Sequence, residues 1–106
     1  TGNDDNALEF NKRGGVGAIG VTANIAAKLS SDFQKACKND MAEAVKLDKI
    51  LQPLHSSLFI ESNPSPVKYA ASLLKMCSPS VRLPLVEIRD ETKKKVSDAL
   101  KSAKLL

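Results

Sequence analysis

The sequence has little aromatic surface: 106 residues contain no tryptophan, one tyrosine and three phenylalanines. Proteins that bind nucleic acids stack bases on aromatic side chains and cluster their lysines and arginines. Here the formal net charge is only +4, and Lys93-Lys94-Lys95 is the only run of positive residues. Such a run on a helix is usually a solvated face, so we predict that the chain does not bind nucleic acid.

Cysteine is scarce, and long apolar runs are absent. Cys37 and Cys77 are the only cysteines, and no apolar run approaches the roughly 18 residues that span a bilayer. Residues 1–5 are polar and acidic, unlike the basic and then apolar start of a secretory signal. Two distant thiols without an export signal indicate reduced cysteines, and we predict a cytoplasmic protein that does not enter a membrane.

Periodicity and capping residues predict a mostly α-helical chain. Asp4 or Asp5 is expected to cap the first helix and Asn24 the second, and Pro53 is expected to kink or break the third. The predicted helices cover residues 6–12, 25–38, 41–59, 66–76 and 90–103, with inner faces that include Ile25, Leu29 and Phe33 in the second helix and Val96, Ala99, Leu100 and Ala103 in the last.

Residues 16–22 form an apolar, partly β-branched run that predicts one short buried strand. A lone strand leaves its backbone N–H and C=O groups without partners. A strand followed only by helices is typical of the end of an α/β barrel separated from its beginning. The alternatives are that copies of the chain pair their strands, or that this segment is irregular.

The pattern Gly15-x-Gly17-x-x-Gly20 matches the dinucleotide-binding fingerprint, and Asp40 lies where a ribose-binding acid is expected. The fingerprint requires a strand before the glycines and a helix that opens among them. Here a polar helix is predicted before the glycines and the strand runs through them. We therefore interpret the glycines as turn and strand-packing residues and predict no nucleotide cofactor.

The single histidine, His55, has no cysteine or carboxylate at a ligand spacing, so no metal site is predicted. Ser56, Ser57 and Asp48 could be combined with His55 into a hydrolase triad. No glycine-flanked elbow presents either serine, however, and the members of a triad are defined by their positions in space. We favour an ordinary core or surface histidine.

A lysine that forms a Schiff base needs an apolar pocket that lowers its pKa. Most lysines of this chain stand in strongly polar or helical-surface settings. Lys28 and Lys68 are the two that merit inspection, and each lies near the start of a predicted helix, where a surface position is the more common one. We therefore interpret both as surface residues.

Four motifs follow one another along the chain: GGVGAIGVTAN at residues 14–24, PLHSSLF at 53–59, NPSPVK at 63–68 and RLPL at 82–85. In order and spacing they closely resemble the C-terminal region of the dihydrodipicolinate synthase family. The resemblance covers the whole chain. N-acetylneuraminate lyases share the same barrel and lysine chemistry, but the stretch at 63–68 is more similar to the synthases.

The resemblance implies a (β/α)8 TIM barrel with a helical C-terminal extension, assembled as a homotetramer. Residues 1–39 would be the last βα units of the barrel and residues 40–106 the extension. The intact enzyme would be a class I aldolase that condenses pyruvate with aspartate semialdehyde in lysine and diaminopimelate biosynthesis. The active sites of such barrels lie at the C-terminal ends of the strands.

On this resemblance, Ile19 contacts pyruvate with its backbone carbonyl near the imine, and Gly2 helps to form the same pocket. The imine-forming lysine, the tyrosine proton relay, the hydroxyl that binds the pyruvate carboxylate and the arginine for the second substrate lie upstream of Thr1. No catalytic residue is therefore expected in this chain, which should be inactive without the N-terminal part of the barrel. The alternative is a stand-alone, non-catalytic helical interaction module derived from the family.

Overall fold

Helices make up the regular secondary structure of the chain. The computed structural model describes all residues 1–106. In chain order the elements are a 3₁₀ helix at Asp4–Asn6, α1 at Ala7–Lys12, a second 3₁₀ helix at Thr22–Asn24, α2 at Ala27–Asn39, α3 at Met41–Ser57, α4 at Ser65–Leu73 and α5 at Asp90–Ser102. The prediction of a mostly helical chain is confirmed. None of these helices is long and apolar enough to cross a membrane.

The segment at residues 16–22 differs from its prediction. No strand is assigned to it, and its last residue opens the second 3₁₀ helix. Val16 and Ile19 are 84% and 89% exposed, so a buried strand is wrong for this chain alone. A strand is defined by the ladder of hydrogen bonds to its neighbours, and only Thr1 pairs its backbone with this segment from a neighbouring one.

The first helical segment ends at Lys12, the predicted boundary. Gly14 has a φ of 96°, which ends α1 in the left-handed region that favours glycine. The predicted caps at its start are wrong, because no side chain caps either the first 3₁₀ helix or α1. The carboxylate of Asp4 is instead turned towards the backbone at Val21 and Thr22.

Phe33 of α2 lies in the core and Leu29 packs against it, as predicted, and Ile25 is also buried. Ile25 precedes the helix, however, because α2 begins at Ala27 and not at residue 25. The predicted cap is wrong. Asn24 ends the preceding 3₁₀ helix, where its amide donates to the Val21 carbonyl at 2.9 Å. That local hydrogen bond satisfies the asparagine side chain before α2 starts, and α2 begins without a side-chain cap.

The longest helix, α3, packs against α2 and supplies the centre of the core. Asp40 caps it, because its carboxylate accepts the backbone N–H of Glu43 at 3.2 Å. Pro53 lies inside the helix, which continues to Ser57, so the predicted break does not occur. Leu51 and Leu54 flank the proline and are at most 1% exposed, and their burial holds the two turns together.

The last two helices close the molecule against α3. Pro66 lies in the first turn of α4 as predicted, but the helix ends before Met76 because Lys75 takes a φ of 61°. The N–H of Met76 then bonds back to the Ala71 carbonyl at 2.9 Å. The predicted inner face of α5 is confirmed, and the whole core contains 16 buried apolar residues: Ala7, Ile25, Ala26, Phe33, Ala36, Ala44, Leu51, Leu54, Leu58, Val67, Ala70, Ile88, Val96, Ala99, Leu100 and Ala103.

Candidate functional site

Thr1 pairs with residues 17–19 in the manner of two neighbouring parallel strands. The backbone nitrogen of Thr1 donates to the Gly17 carbonyl at 3.0 Å, and the N–H of Ile19 donates to the Thr1 carbonyl at 2.9 Å. In a parallel ladder, one residue donates its N–H to one residue of the neighbouring strand and accepts an N–H from the residue two positions further on. Thr1 makes this pair of hydrogen bonds with Gly17 and Ile19. The pairing therefore places Gly2 beside Ile19, the two residues that the sequence assigned to one pocket wall.

Both of these residues present backbone to their surroundings. Gly2 and Ile19 are exposed in this chain, and a Cβ added at Gly2 would meet no atom within 4 Å. The carbonyl of Ile19 accepts no hydrogen bond from the rest of the chain. This edge thus offers a free carbonyl next to an open glycine, which suits the orientation of a small polar molecule without any ionisable side chain.

Asp4 fixes the turn that follows Ile19. One oxygen of its carboxylate, Oδ2, accepts the backbone N–H of Val21 at 2.8 Å and that of Thr22 at 3.0 Å. Hydrogen bonds to an ionised acceptor are shorter and stronger than those between neutral groups. The segment that carries Gly2 is therefore joined to the segment that carries Ile19 at a second point, immediately beyond the parallel pairing.

Gly20 is required for this contact. A Cβ placed at Gly20 would lie 1.7 Å from Oδ1 of Asp4 and 2.4 Å from its Cγ, well inside any permitted distance. The glycine of the apparent dinucleotide fingerprint thus allows a carboxylate to approach the backbone. Gly15 is enclosed similarly by the ring and carbonyl of Phe10, and no helix opens among the three glycines.

Thr22 connects the same turn to α3. Its hydroxyl lies 2.7 Å from Nδ1 of His55, and the two residues are 0% and 6% exposed. Burial lowers the pKa of His55, an effect that the nearby carboxylates of Asp4, Asp48 and Asp5 partly oppose. The imidazole is therefore neutral at pH 7, and one hydrogen bond between two buried neutral groups holds the turn against the helix.

A polar cleft opens between the first 3₁₀ helix and α3. Its volume is about 460 Å³. The Gln52 amide donates at 3.1 Å across it to the backbone carbonyl of Asp5, and also at 3.1 Å to the carboxylate of Asp48 on its own helix. One hydrophobic residue is found among those that line the cleft: Asn3, Asp4, Asp5, Asn6, Gln52, His55, Ser56 and Phe59.

The structure does not assemble a hydrolase triad. The hydroxyl of Ser56 donates to the Pro53 carbonyl at 3.2 Å, and that of Ser57 donates to the Leu54 carbonyl at 3.0 Å. Both serines are thus bonded to their own helix, and Nδ1 of His55 is bonded to Thr22. No group of three or more histidine, cysteine or acidic residues could hold a metal ion.

Neither inspected lysine lies in an enclosed apolar pocket. Lys28 is 87% exposed and pairs with Asp32 at 2.6 Å along α2. Lys68 is half-buried, and its ammonium group donates to the Ser80 carbonyl. Asp40, the acid at the ribose-like spacing, caps α3. Lys28 therefore forms a surface ion pair, Lys68 binds a loop carbonyl and Asp40 caps a helix.

The contacts that organise this site were not visible in the sequence. Asp4 resembled a helix cap, Thr22 the end of a strand and His55 an isolated histidine. The partners stand 17 to 33 residues apart along the chain, and no local pattern encodes a contact over such a distance. The one available signal was Gly20, because a glycine within an apolar run often marks a close approach.

Solved structures define the class of protein to which this site belongs. The dihydrodipicolinate synthase of Thermotoga maritima matches 99% of this chain with a TM-score of 0.95 at 33% identity. That of Acinetobacter baumannii also matches 99%, with a TM-score of 0.93 at 36% identity. The chain covers 36% of each of these TIM barrels. It corresponds to the C-terminal part of a (β/α)8 barrel protein.

Sequence comparison identifies the family. The model of the dihydrodipicolinate synthetase family matches residues 1–103. The 4-hydroxy-tetrahydrodipicolinate synthase of Pelagibacter ubique (strain HTCC1062) is 69% identical over 110 residues, and that of Zymomonas mobilis subsp. mobilis is 56% identical over 108 residues. The chain belongs to the dihydrodipicolinate synthetase family. It is matched in full but spans only 38% and 37% of these relatives.

Proposed function

We propose that this chain is part of a class I aldolase that condenses pyruvate with aspartate semialdehyde in lysine and diaminopimelate biosynthesis. The observation that carries the proposal is the family match over residues 1–103. The relatives are named 4-hydroxy-tetrahydrodipicolinate synthases, and the similar structure from Acinetobacter baumannii is described as a complex with pyruvate. The description of that complex supports pyruvate as a substrate.

In this proposal Ile19 and Gly2 form one wall of the pyruvate pocket. The free carbonyl of Ile19 orients the substrate near the imine, and Gly2 leaves room for it. Their side-by-side placement by the Thr1 pairing supports a shared role. Neither role requires an ionisable side chain, and the site needs no cofactor.

The covalent chemistry is assigned to residues upstream of Thr1. There a lysine amine attacks the ketone carbon of pyruvate and expels water, which leaves an imine. A tyrosine moves protons, a hydroxyl binds the pyruvate carboxylate, and an arginine holds the second substrate. The 106-residue chain alone is accordingly inactive, and its partner is the N-terminal part of the barrel.

The organisation of the whole enzyme follows the same proposal. Residues 1–39 supply the last βα units of the barrel, which the parallel pairing at Thr1 supports. Residues 40–106 form the helical extension, which contributes α3, α4 and α5. The enzyme is a cytoplasmic homo-oligomer, which the family resemblance suggests is a tetramer.

One observation favours a second candidate function, the stand-alone helical interaction module. The chain has its own core of 16 buried apolar residues, which could support folding without the barrel. The 89% exposed side chain of Ile19 would then face a binding partner. A monodisperse 106-residue chain that does not associate with an N-terminal barrel fragment would favour this module.

The proposal is tested with a chimera in which residues 1–106 replace the aligned segment of the Pelagibacter ubique relative, which is 69% identical. We expect the chimera to turn over pyruvate and aspartate semialdehyde. Borohydride should reduce its pyruvate imine to a stable amine, detected as one adduct per chain by intact-mass spectrometry. A folded chimera with neither turnover nor adduct would refute the proposed function.

A further inference from the structure

The two segments that form the proposed pocket wall are tied together twice. Thr1 pairs with Gly17 and Ile19 through backbone hydrogen bonds. Asp4, which lies two residues after Gly2, accepts the backbone N–H of Val21, which lies two residues after Ile19. Asp4 and Val21 therefore stand in the same register as Gly2 and Ile19. The side-chain contact of Asp4 continues the parallel pairing that starts at Thr1.

The side-chain oxygen of Asp4 accepts two hydrogen bonds at the turn. A single oxygen, Oδ2, accepts two consecutive N–H groups, those of Val21 and Thr22. Hydrogen bonds to two consecutive N–H groups restrict the rotation of both peptide planes. The restriction extends to the preceding peptide unit, which joins Ile19 to Gly20. That peptide includes the carbonyl of Ile19.

The turn is also held from its other side. Thr22 donates its N–H to Asp4, and its hydroxyl meets Nδ1 of His55 on α3. Gly20 leaves the space that the Asp4 carboxylate occupies, since a Cβ there would lie 1.7 Å from Oδ1. The carboxylate, the glycine and the threonine–histidine pair therefore act on one short piece of backbone.

We propose that Asp4 is a positioning residue for pyruvate, which fixes the direction of the Ile19 carbonyl by holding the turn at residues 20–22. This inference rests on the proposed function of the pocket. Asp4 touches the turn and acts on the substrate through Ile19. We call the two hydrogen bonds from Val21 and Thr22 to the Asp4 carboxylate the clamp. A displacement of about 1 Å in a positioning group can cost about a hundredfold in rate or binding, so loss of the clamp should be measurable.

The test uses the chimera and three single variants. Asp4→Ala removes the clamp, and Gly20→Ala displaces the carboxylate by steric overlap. We expect each to raise the pyruvate KM about tenfold to a hundredfold, while the KM for aspartate semialdehyde stays within about twofold because that substrate is held elsewhere. Asp4→Asn retains an oxygen that can accept both N–H groups, and it should restore a pyruvate KM close to the parental value.

Two further variants separate positioning from general stability. Glu9→Ala removes an exposed carboxylate that is hydrogen-bonded only to Arg13, and it should leave both KM values unchanged. The double variant Asp4→Ala with Gly20→Ala should be no worse than Asp4→Ala alone, because the atom that the new Cβ would strike is absent. Additive effects of the two changes would contradict the clamp.

The possible outcomes decide between a positioning and a structural role. An unchanged pyruvate KM in Asp4→Ala, or equal losses for both substrates, would overturn the proposal. If Asp4→Ala does not fold, the two KM values of Gly20→Ala decide the question instead. If neither variant folds, Asp4 has a structural role only, and the proposal is overturned. A parental chimera without a pyruvate adduct would instead refute the proposed function, so the two failures are distinguishable.

Discussion

Replacement of Thr22 by valine would remove one hydroxyl from the interior and keep the branched shape of the side chain. That hydroxyl lies 2.7 Å from Nδ1 of His55, and neither residue is more than 6% exposed. In the variant, the ring nitrogen stays buried without its partner. A buried polar group left unsatisfied costs about 1–3 kcal/mol, so the free energy of unfolding should fall by about that amount.

Thr92 offers a matched control for this substitution. It is also 0% exposed, and its hydroxyl makes no hydrogen bond of ordinary geometry, although it lies close enough to the Glu61 carboxylate to help hold the pKa of that group below its usual range. Thr92→Val therefore affects only a carboxylate that keeps the Arg89 N–H as a partner at 3.0 Å, and it should cost less than Thr22→Val. Urea denaturation of the chimera and both variants, followed by far-UV circular dichroism, measures the two changes side by side.

The comparison has a definite refuting result. If Thr22→Val costs no more than Thr92→Val, the contact between Thr22 and His55 does not stabilise the turn. A double-mutant cycle with His55→Leu refines the test, because two residues in direct contact should show a coupling energy of about 0.5–3 kcal/mol. A coupling energy of zero would give the same refutation by an independent route.

Three further predictions concern the stability of the chimera in urea. Leu54→Ala should cost about 2–5 kcal/mol because Leu54 is 0% exposed, whereas Leu83→Ala, at an 86% exposed position, should stay within about 0.5 kcal/mol. Asp40→Ala should cost about 1 kcal/mol by removing the cap of α3, and an unchanged midpoint would contradict that cap. Burial holds the pKa of His55 below its ordinary value of 6.5, so the unfolded chain binds the proton first. The histidine's contribution should be complete above about pH 6.5 and fall by at most about 1.4 kcal/mol per pH unit below it, and His55→Leu should remove this acid-side slope.

Features set by local periodicity were predictable from the sequence. The inner face of α5, with Val96, Ala99 and Leu100, follows from apolar spacing alone. The end of α1 follows from Gly14, because few other residues adopt a φ of 96°. These signals act over one or two helical turns, so the rest of the fold does not alter them.

Features set by contacts between distant segments were not predictable. Residues 16–22 have a strand's composition, but a strand also needs neighbours to complete its ladder, and this chain provides only Thr1. Asn24 has the character of a cap, yet a nearby carbonyl satisfies its amide first. Asp4 was assigned to its own helix and bonds to another segment instead, because two backbone N–H groups there need an acceptor.

The placement of Ile19 beside Gly2 shows how the two sources of information combine. The resemblance assigned both residues to one pocket, although they lie on different segments. The Thr1 pairing brings those segments together in a parallel register. The variants of Asp4 and Gly20 test the proposed roles of Ile19 and Gly2 in pyruvate binding through the same backbone.

The most direct test of the central claim is to locate the pyruvate adduct after borohydride trapping. The chimera is incubated with pyruvate, reduced, digested and mapped by mass spectrometry, beside the 106-residue chain treated in the same way. The account predicts one adduct on a lysine upstream of Thr1 in the chimera and none on the isolated chain. An adduct on Lys28, Lys68 or any other lysine of this chain would contradict it.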